Sequence, residues 1–218
     1  MKIIKAVFLA FVLFSSNELT AERTKPISVK EKKKRFFHTF VPAVNSVYLE
    51  LNRDYRDIKK NIKNPKYKKR ISNLKKDYKV KTDRELLLAL KPHPISITLA
   101  QAAMESAWGT SKFYKKANNV FGIWSFNKKE PRIAASQKRG KKTVWLKKYP
   151  SVRESVKDYY INISRSHAFA EFRELNMKTA DPYKLVKKLN HYSEMRENYT
   201  KELTSVMKHN KLHKYDKP

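Results

Sequence analysis

The chain contains no cysteine and only three glycines among its 218 residues. The first absence excludes disulfides and thiolate metal sites. The second excludes phosphate cradles of the P-loop or dinucleotide-binding type, which need several glycines at fixed spacing. Acidic residues are scarce as well: 20 Asp and Glu stand against 50 Lys and Arg, a formal net charge of +30. Such an excess of one sign favours a polyanionic partner: nucleic acid, an anionic membrane surface or an acidic wall polymer. With 40% apolar and 12% aromatic residues, most of the chain is nonetheless expected to fold around one sizeable core.

The opening segment MKIIKAVFLAFVLFSSNELTA has Lys2 and Lys5 ahead of an apolar run from Ala6 to Phe14, followed by small polar residues. That is the layout of a secretory signal peptide, so residues 1–21 are expected to be removed on export, to the periplasm or cell envelope. Export counts against nucleic acid as the partner. The apolar run is short for a membrane span, and peripheral membrane contact is not the expected mode.

From Val29 onward, Phe36, Phe40, Val44, Val47, Leu51, Tyr55 and Ile58 recur at steps of three and four, one apolar helix face. Pro42 lies within it and either kinks this helix or begins another. The pattern breaks at Asn64-Pro65 and resumes at Ile71, Leu74 and Tyr78. A short helix over 85–90 ends at Pro92 and Pro94. The next is expected to start from Ser96 as N-cap, to bury Ile97, Ala100, Met104 and Trp108, and to end at Gly109 as left-handed cap. Ser111 is placed to cap KFYKKA, which Asn118 or Asn119 stops. Pro131, Gly140 and the alternation in TVWLKKY predict a β-hairpin, whose neighbourhood from 121 to 149 carries nine basic residues against the lone acid Glu130. Ser151 with Glu154 forms a capping box for a helix burying Val152, Val156, Tyr159 and Ile163. Asp181-Pro182 starts another helix, and a last one covers about 199–211.

Glu105 is the residue in this pattern with chemical content. A carboxyl near a helix C-terminus faces the negative end of the dipole, and Met104 and Trp108 supply apolar surroundings. Both raise its pKa, and a carboxyl that stays protonated near neutrality can serve as a general acid in glycosidic cleavage. Position alone would equally suit a solvent-facing helix glutamate. His209 and His213 are four apart, but no third ligand accompanies them, and no metal or cofactor is expected.

The run Ala100-Gln101-Ala102-Ala103-Met104-Glu105-Ser106-Ala107-Trp108-Gly109-Thr110-Ser111, with Asn118-Asn119-Val120-Phe121-Gly122 after it, resembles the glucosaminidase-domain peptidoglycan hydrolases. Within them it is most similar to the Bax-type proteins, which share LLLALKPHPISITLA, Gly-Ile-Trp-Ser-Phe and the Tyr-Ser-Glu before the last helix. The resemblance implies a mainly α, α+β lysozyme-like fold: a helical lobe, a small β-hairpin lobe, an N-terminal helical extension over 22–84 and a catalytic domain over 85–218. It also implies an endo-β-N-acetylglucosaminidase acting on peptidoglycan glycan strands, with Glu105 as general acid. Tyr192 matches a tyrosine lining the cleft opposite the acid, and Asn119, Phe121 and Gly122 match the loop beneath the sugar site. Trp124 and Trp145, near the hairpin, are sugar-stacking candidates, whereas Trp108 suits packing behind Glu105.

The second catalytic group stays open between Glu130, the substrate's own N-acetyl group, and a lytic transglycosylase route in which one glutamate suffices. A wall-binding protein without turnover is the non-enzymatic alternative. Nothing in the sequence bears on oligomeric state.

Overall fold

Ser28 begins the first helix, α1 (Val29–Asn61), by accepting the Glu31 backbone N–H on its Oγ at 3.2 Å. The 33-residue helix runs through Pro42 without a break. Pro42 and His38, whose carbonyl loses a partner there, both lie on the exposed face where water can satisfy it. All seven residues of the predicted stripe, Phe36 to Ile58, are buried. These coordinates come from a computed structural model that describes residues 27–139 and 142–217. The expected signal peptide and the Gly140 turn lie outside the described residues.

After a 3-10 turn at Pro65–Tyr67 comes α2 (Lys68–Tyr78), ended by Lys79 in the left-handed region at φ 57°. Thr82 and Glu85 then form a reciprocal capping box for α3 (Asp83–Leu90). Ile71, Leu86 and Leu90 close on Tyr55 and Ile58 of α1 as a small second core.

The main core surrounds α4 (Ile95–Glu105), buried at every position from Ile95 to Ala103. A helix buried all round must be enclosed, and α1, the helix over Glu197–His209 and the C-terminal turn pack on it, with Tyr159 and Tyr160 hydrogen-bonded to it. Its start differs from the sequence expectation. The N-cap is Pro94, which has no side-chain acceptor, and Ser96 lies inside the first turn. The missing acceptor comes from the far end of the chain: Asp216 receives the Ser96 N–H and Oγ–H, each at 2.7 Å. Asp216→Ala should therefore cost about 1–2 kcal/mol in urea unfolding at neutral pH, since it orphans two donors at the end of the central helix. A loss within 0.3 kcal/mol would mean that water replaces the carboxylate.

The helix also ends earlier than its apolar period suggests. Glu105 is its last residue, and Ala107, Trp108 and Gly109 all take positive φ, at 49°, 58° and 75°. Next come α5 (Lys112–Ala117), capped by Ser111 and ended by left-handed Asn118, and the hairpin of β1 (Arg132–Arg139) and β2 (Lys142–Lys147). The strands pair antiparallel from Arg132 opposite Lys147 to Arg139 opposite Lys142, with a register shift between Ala134 and Lys138.

In α6 (Val152–Arg165) Ser151 accepts the Glu154 N–H at 3.3 Å, but the Glu154 carboxylate takes Arg153 at 2.9 Å, so only half the expected box forms. Then follow α7 (Ala170–Lys178), α8 (Pro182–Leu185) capped by Asp181, and α9 (Glu197–His209). No helix among the described residues is long and apolar enough to cross a membrane.

The segment before residue 85 does not stand apart. Phe36, Phe40, Val44, Val47 and Leu51 belong to the same core as α4, α6 and α9.

Candidate active site

Glu105 closes α4, so its carboxyl leaves the helix where backbone carbonyls lack partners and the dipole is negative. Burial, the larger effect, pushes its pKa up to about 8, while one hydrogen bond from Tyr199 acts in the opposite direction. Tyr199, on α9, donates to Oε1 at 3.0 Å. Glu105 as a whole residue is half-buried.

The turn behind Glu105 is strained and pinned. Ala107 and Trp108 carry side chains in the left-handed region, at about 1–2 kcal/mol each. Ser106 ties the turn together: its Oγ donates to the Ala102 carbonyl at 2.6 Å and accepts the Gly109 N–H at 2.9 Å. Trp108 packs edge-on against Phe36 and Phe37 of α1, at 5.2 and 5.9 Å between centroids, with the Lys33 ammonium 4.8 Å from its ring centre. A Cβ on Gly109 would sit 3.5 Å from both the Phe40 and Tyr114 rings, and its φ of 75° is what requires glycine there.

The residues matched to the substrate site divide into two groups. Asn119, Phe121 and Tyr192 are buried, and their side chains pack into the structure around the site. Asn119 donates to the Ile123 and Lys147 carbonyls at 2.9 and 2.8 Å and accepts the Ile123 N–H, fastening the loop to β2. Phe121 stacks on Tyr159 at 4.2 Å, and Tyr192 stacks on Tyr199 at 5.4 Å. Gly122 takes φ 63°, turning the chain from that buried loop toward the hairpin.

Trp124 lies beside β2, bridged to Leu146, with its ring 6.1 Å from the exposed Phe126. Trp145 carries the Arg132 guanidinium 4.2 Å over its ring, which occupies one of its two faces. Glu130 stands just before β1. Its Oε1 accepts the Ser125 hydroxyl at 2.7 Å, and its Oε2 lies 3.9 Å from the Lys147 ammonium. Lys147 in turn pairs with Asp158 of α6 at 2.8 Å, so a second carboxylate reaches the hairpin from outside it.

Two partners of Glu105 escape a reading of sequence: Tyr199 and, behind it, Gln101. Gln101 carried a signal nevertheless. With Thr98, it is a polar residue in an otherwise apolar helix, and such groups need buried partners.

The profile of the family described as mannosyl-glycoprotein endo-beta-N-acetylglucosaminidase matches residues 83–212, more than half of the chain. The chain belongs to this glucosaminidase family. Protein bax of Escherichia coli (strain K12) is 28% identical over 198 residues, covering 82% of this chain and 70% of that protein. Two solved structures share the fold. The catalytic domain of the autolysin Auto from Listeria monocytogenes superposes with a TM-score of 0.50 at 22% identity, over 88% of this chain and 92% of that domain. The glycoside hydrolase domain of FlgJ from Salmonella typhimurium gives 0.51 at 20% identity, over 82% and 88%.

The protein is thus a glucosaminidase-domain glycoside hydrolase of lysozyme-like architecture, similar to the Bax protein. The glucosaminidase match begins at residue 83, whereas the core that supports the site reaches back to Phe36.

Proposed function

We propose that this glucosaminidase-family protein is an exported peptidoglycan hydrolase that cleaves β-1,4 glycosidic bonds with Glu105 as general acid. One observation carries the reading: Glu105 is a carboxyl held mostly protonated at neutral pH by burial, at an end of α4 that solvent still reaches. The peptidoglycan substrate is supported by what the structural relatives are named for, a bacterial autolysin and a glycoside hydrolase domain. The net charge of +30 suits a wall polymer bearing free carboxylates. The leader-like first 21 residues support delivery to the periplasm.

In the reaction the anomeric C–O bond breaks, the departing oxygen takes the Glu105 proton, and water adds its oxygen to the anomeric carbon while its released proton passes to a carboxylate and, by exchange, restores Glu105. The bond after N-acetylglucosamine is the preferred target. Trp124 is the stacking platform, and Glu130 the candidate for orienting water or carrying negative charge opposite Glu105. A second reading has Glu105 acting alone, as in a lytic transglycosylase, and the engagement of Glu130 by Ser125 and Lys147 favours it.

Mass analysis of products from purified sacculi separates these readings. Reducing N-acetylglucosamine ends are expected. Reducing N-acetylmuramic acid would make the enzyme a muramidase, and anhydro ends a transglycosylase. Binding to sacculi with nothing released would contradict the enzymatic reading.

A further inference from the structure

Glu105 is the last link in a continuous buried chain of hydrogen bonds. Tyr199 donates to Glu105 Oε1 at 3.0 Å, and Gln101 Nε2 donates to the Tyr199 oxygen at 2.9 Å. The Tyr159 hydroxyl donates to Gln101 Oε1, and its oxygen lies 3.0 Å from His93 Nε2. His93 Nε2 is also 3.0 Å from Thr98 Oγ1, whose hydroxyl points on to Tyr160 at 2.9 Å. His93, Thr98, Gln101, Tyr159, Tyr160 and Tyr199 are all buried, so each depends on its neighbours in the chain.

The direction of the bonds follows from the chemistry of the two ends. An ionised Glu105 can only accept. Tyr199 must then donate to it, and the Tyr199 oxygen is left to accept a hydrogen bond. The NH₂ side of Gln101 donates that hydrogen bond, which turns Gln101 Oε1 toward Tyr159. Tyr159 donates in its turn and accepts from His93 Nε2–H. His93 is neutral, since burial depresses it to about 3, so one ring nitrogen carries a proton, and the chain assigns it to Nε2. Every proton therefore points toward Glu105. A reversed chain needs a flipped Gln101 amide and the other His93 tautomer, and a protonated Glu105 would then spend its proton on Tyr199.

We propose that Gln101, backed by Tyr159 and His93, is a positioning residue that fixes Tyr199 as donor to Glu105 Oε1 and so leaves the transferable proton on Oε2. The inference rests on the reading of Glu105 as the acid. The titratable groups facing Glu105 are Tyr199 from α9, Tyr192 just before it, and Tyr159 from α6. Burial holds all three phenols well above their ordinary range, so none brings charge near neutral pH.

Tyr159→Phe tests this at a distance of three hydrogen bonds from the carboxyl. It removes the donor to Gln101 Oε1 and lets the amide turn that oxygen toward Tyr199, which then withdraws its proton from Glu105. The Glu105 titration midpoint, read by carboxyl ¹³C NMR with Glu105→Gln identifying the resonance, should rise by about half a pH unit or more. On sacculi, kcat should fall about tenfold with KM unchanged. Gln101→Met should do the same. Phe172→Leu is the control, because Phe172 packs edge-on against His93 at 5.3 Å but carries no proton; it should lose stability and leave the midpoint in place. A Tyr159→Phe or Gln101→Met protein that loses stability like Phe172→Leu with an unmoved midpoint would overturn the proposal. Full turnover by Glu105→Gln, with the midpoint shifts still present, would instead overturn the role of Glu105 as acid.

Discussion

Glu105→Gln is expected to lower turnover on peptidoglycan by about 10²–10⁴-fold, the usual contribution of a general acid, with the fold intact. The amide keeps the shape of the carboxyl and its acceptor for Tyr199, but it has no proton to deliver. The same substitution should change how stability depends on pH. The folded-state pKa of Glu105, about 8, lies above its ordinary 4.5, so the native state holds a proton that the unfolded chain releases. The contribution of Glu105 to stability is then fully present below about 4.5 and is lost as pH rises toward 8, at up to about 1.4 kcal/mol per unit. Glu105→Gln lacks this slope and should exceed the wild type in stability at pH 8 by more than at pH 5. Retained turnover, or parallel pH–stability curves, would contradict a buried acid at this position.

Phe40→Ala is the second substitution of large expected effect, at about 3–5 kcal/mol of stability. Phe40 is 1% exposed, stacks on Phe36 at 4.3 Å and lies beside Tyr114 at 5.2 Å. It also borders Gly109, so the void would open directly behind the turn that fixes Glu105. A domain of this size commonly has about 5–15 kcal/mol in total, so the loss should show as a large drop in the denaturant midpoint with an unchanged slope. Turnover of the remaining folded protein should fall too, because the strained turn loses its backing. A cost under 1 kcal/mol would mean that α1 is an appendage to the catalytic core.

The places where sequence and structure agree share a physical cause: the signal is local. The α1 stripe repeats at the helical period, Ser111 and Asp181 sit three or fewer residues from the N–H groups they accept, and TVWLKKY alternates as a strand does. The departures involve partners far away in the chain. The acceptor for the start of α4 is Asp216, 120 residues from Ser96, so the local rule chose Ser96 for lack of a nearer candidate. Helical periodicity carried α4 on to Trp108 because Trp108 is indeed apolar and packed, but it packs from a left-handed turn.

At the site, the family motif singles out Glu105 and says little about burial. Phe121, Asn119 and Tyr192 sit in the matched segments, yet their rings and amide are consumed by the core and by backbone carbonyls. Tyr199, seven residues after Tyr192, donates to the carboxyl at 3.0 Å. That Tyr199 reaches the end of α4 depends on the packing of α9, which the local sequence does not carry.

The most direct measurement is the titration of the Glu105 carboxyl itself, followed by ¹³C NMR in the otherwise unaltered protein. A midpoint near 8, absent from Glu105→Gln, is the predicted result. A midpoint in the ordinary glutamate range would leave Glu105 ionised at neutral pH and without a proton to give, and the proposed acid would have to be sought elsewhere.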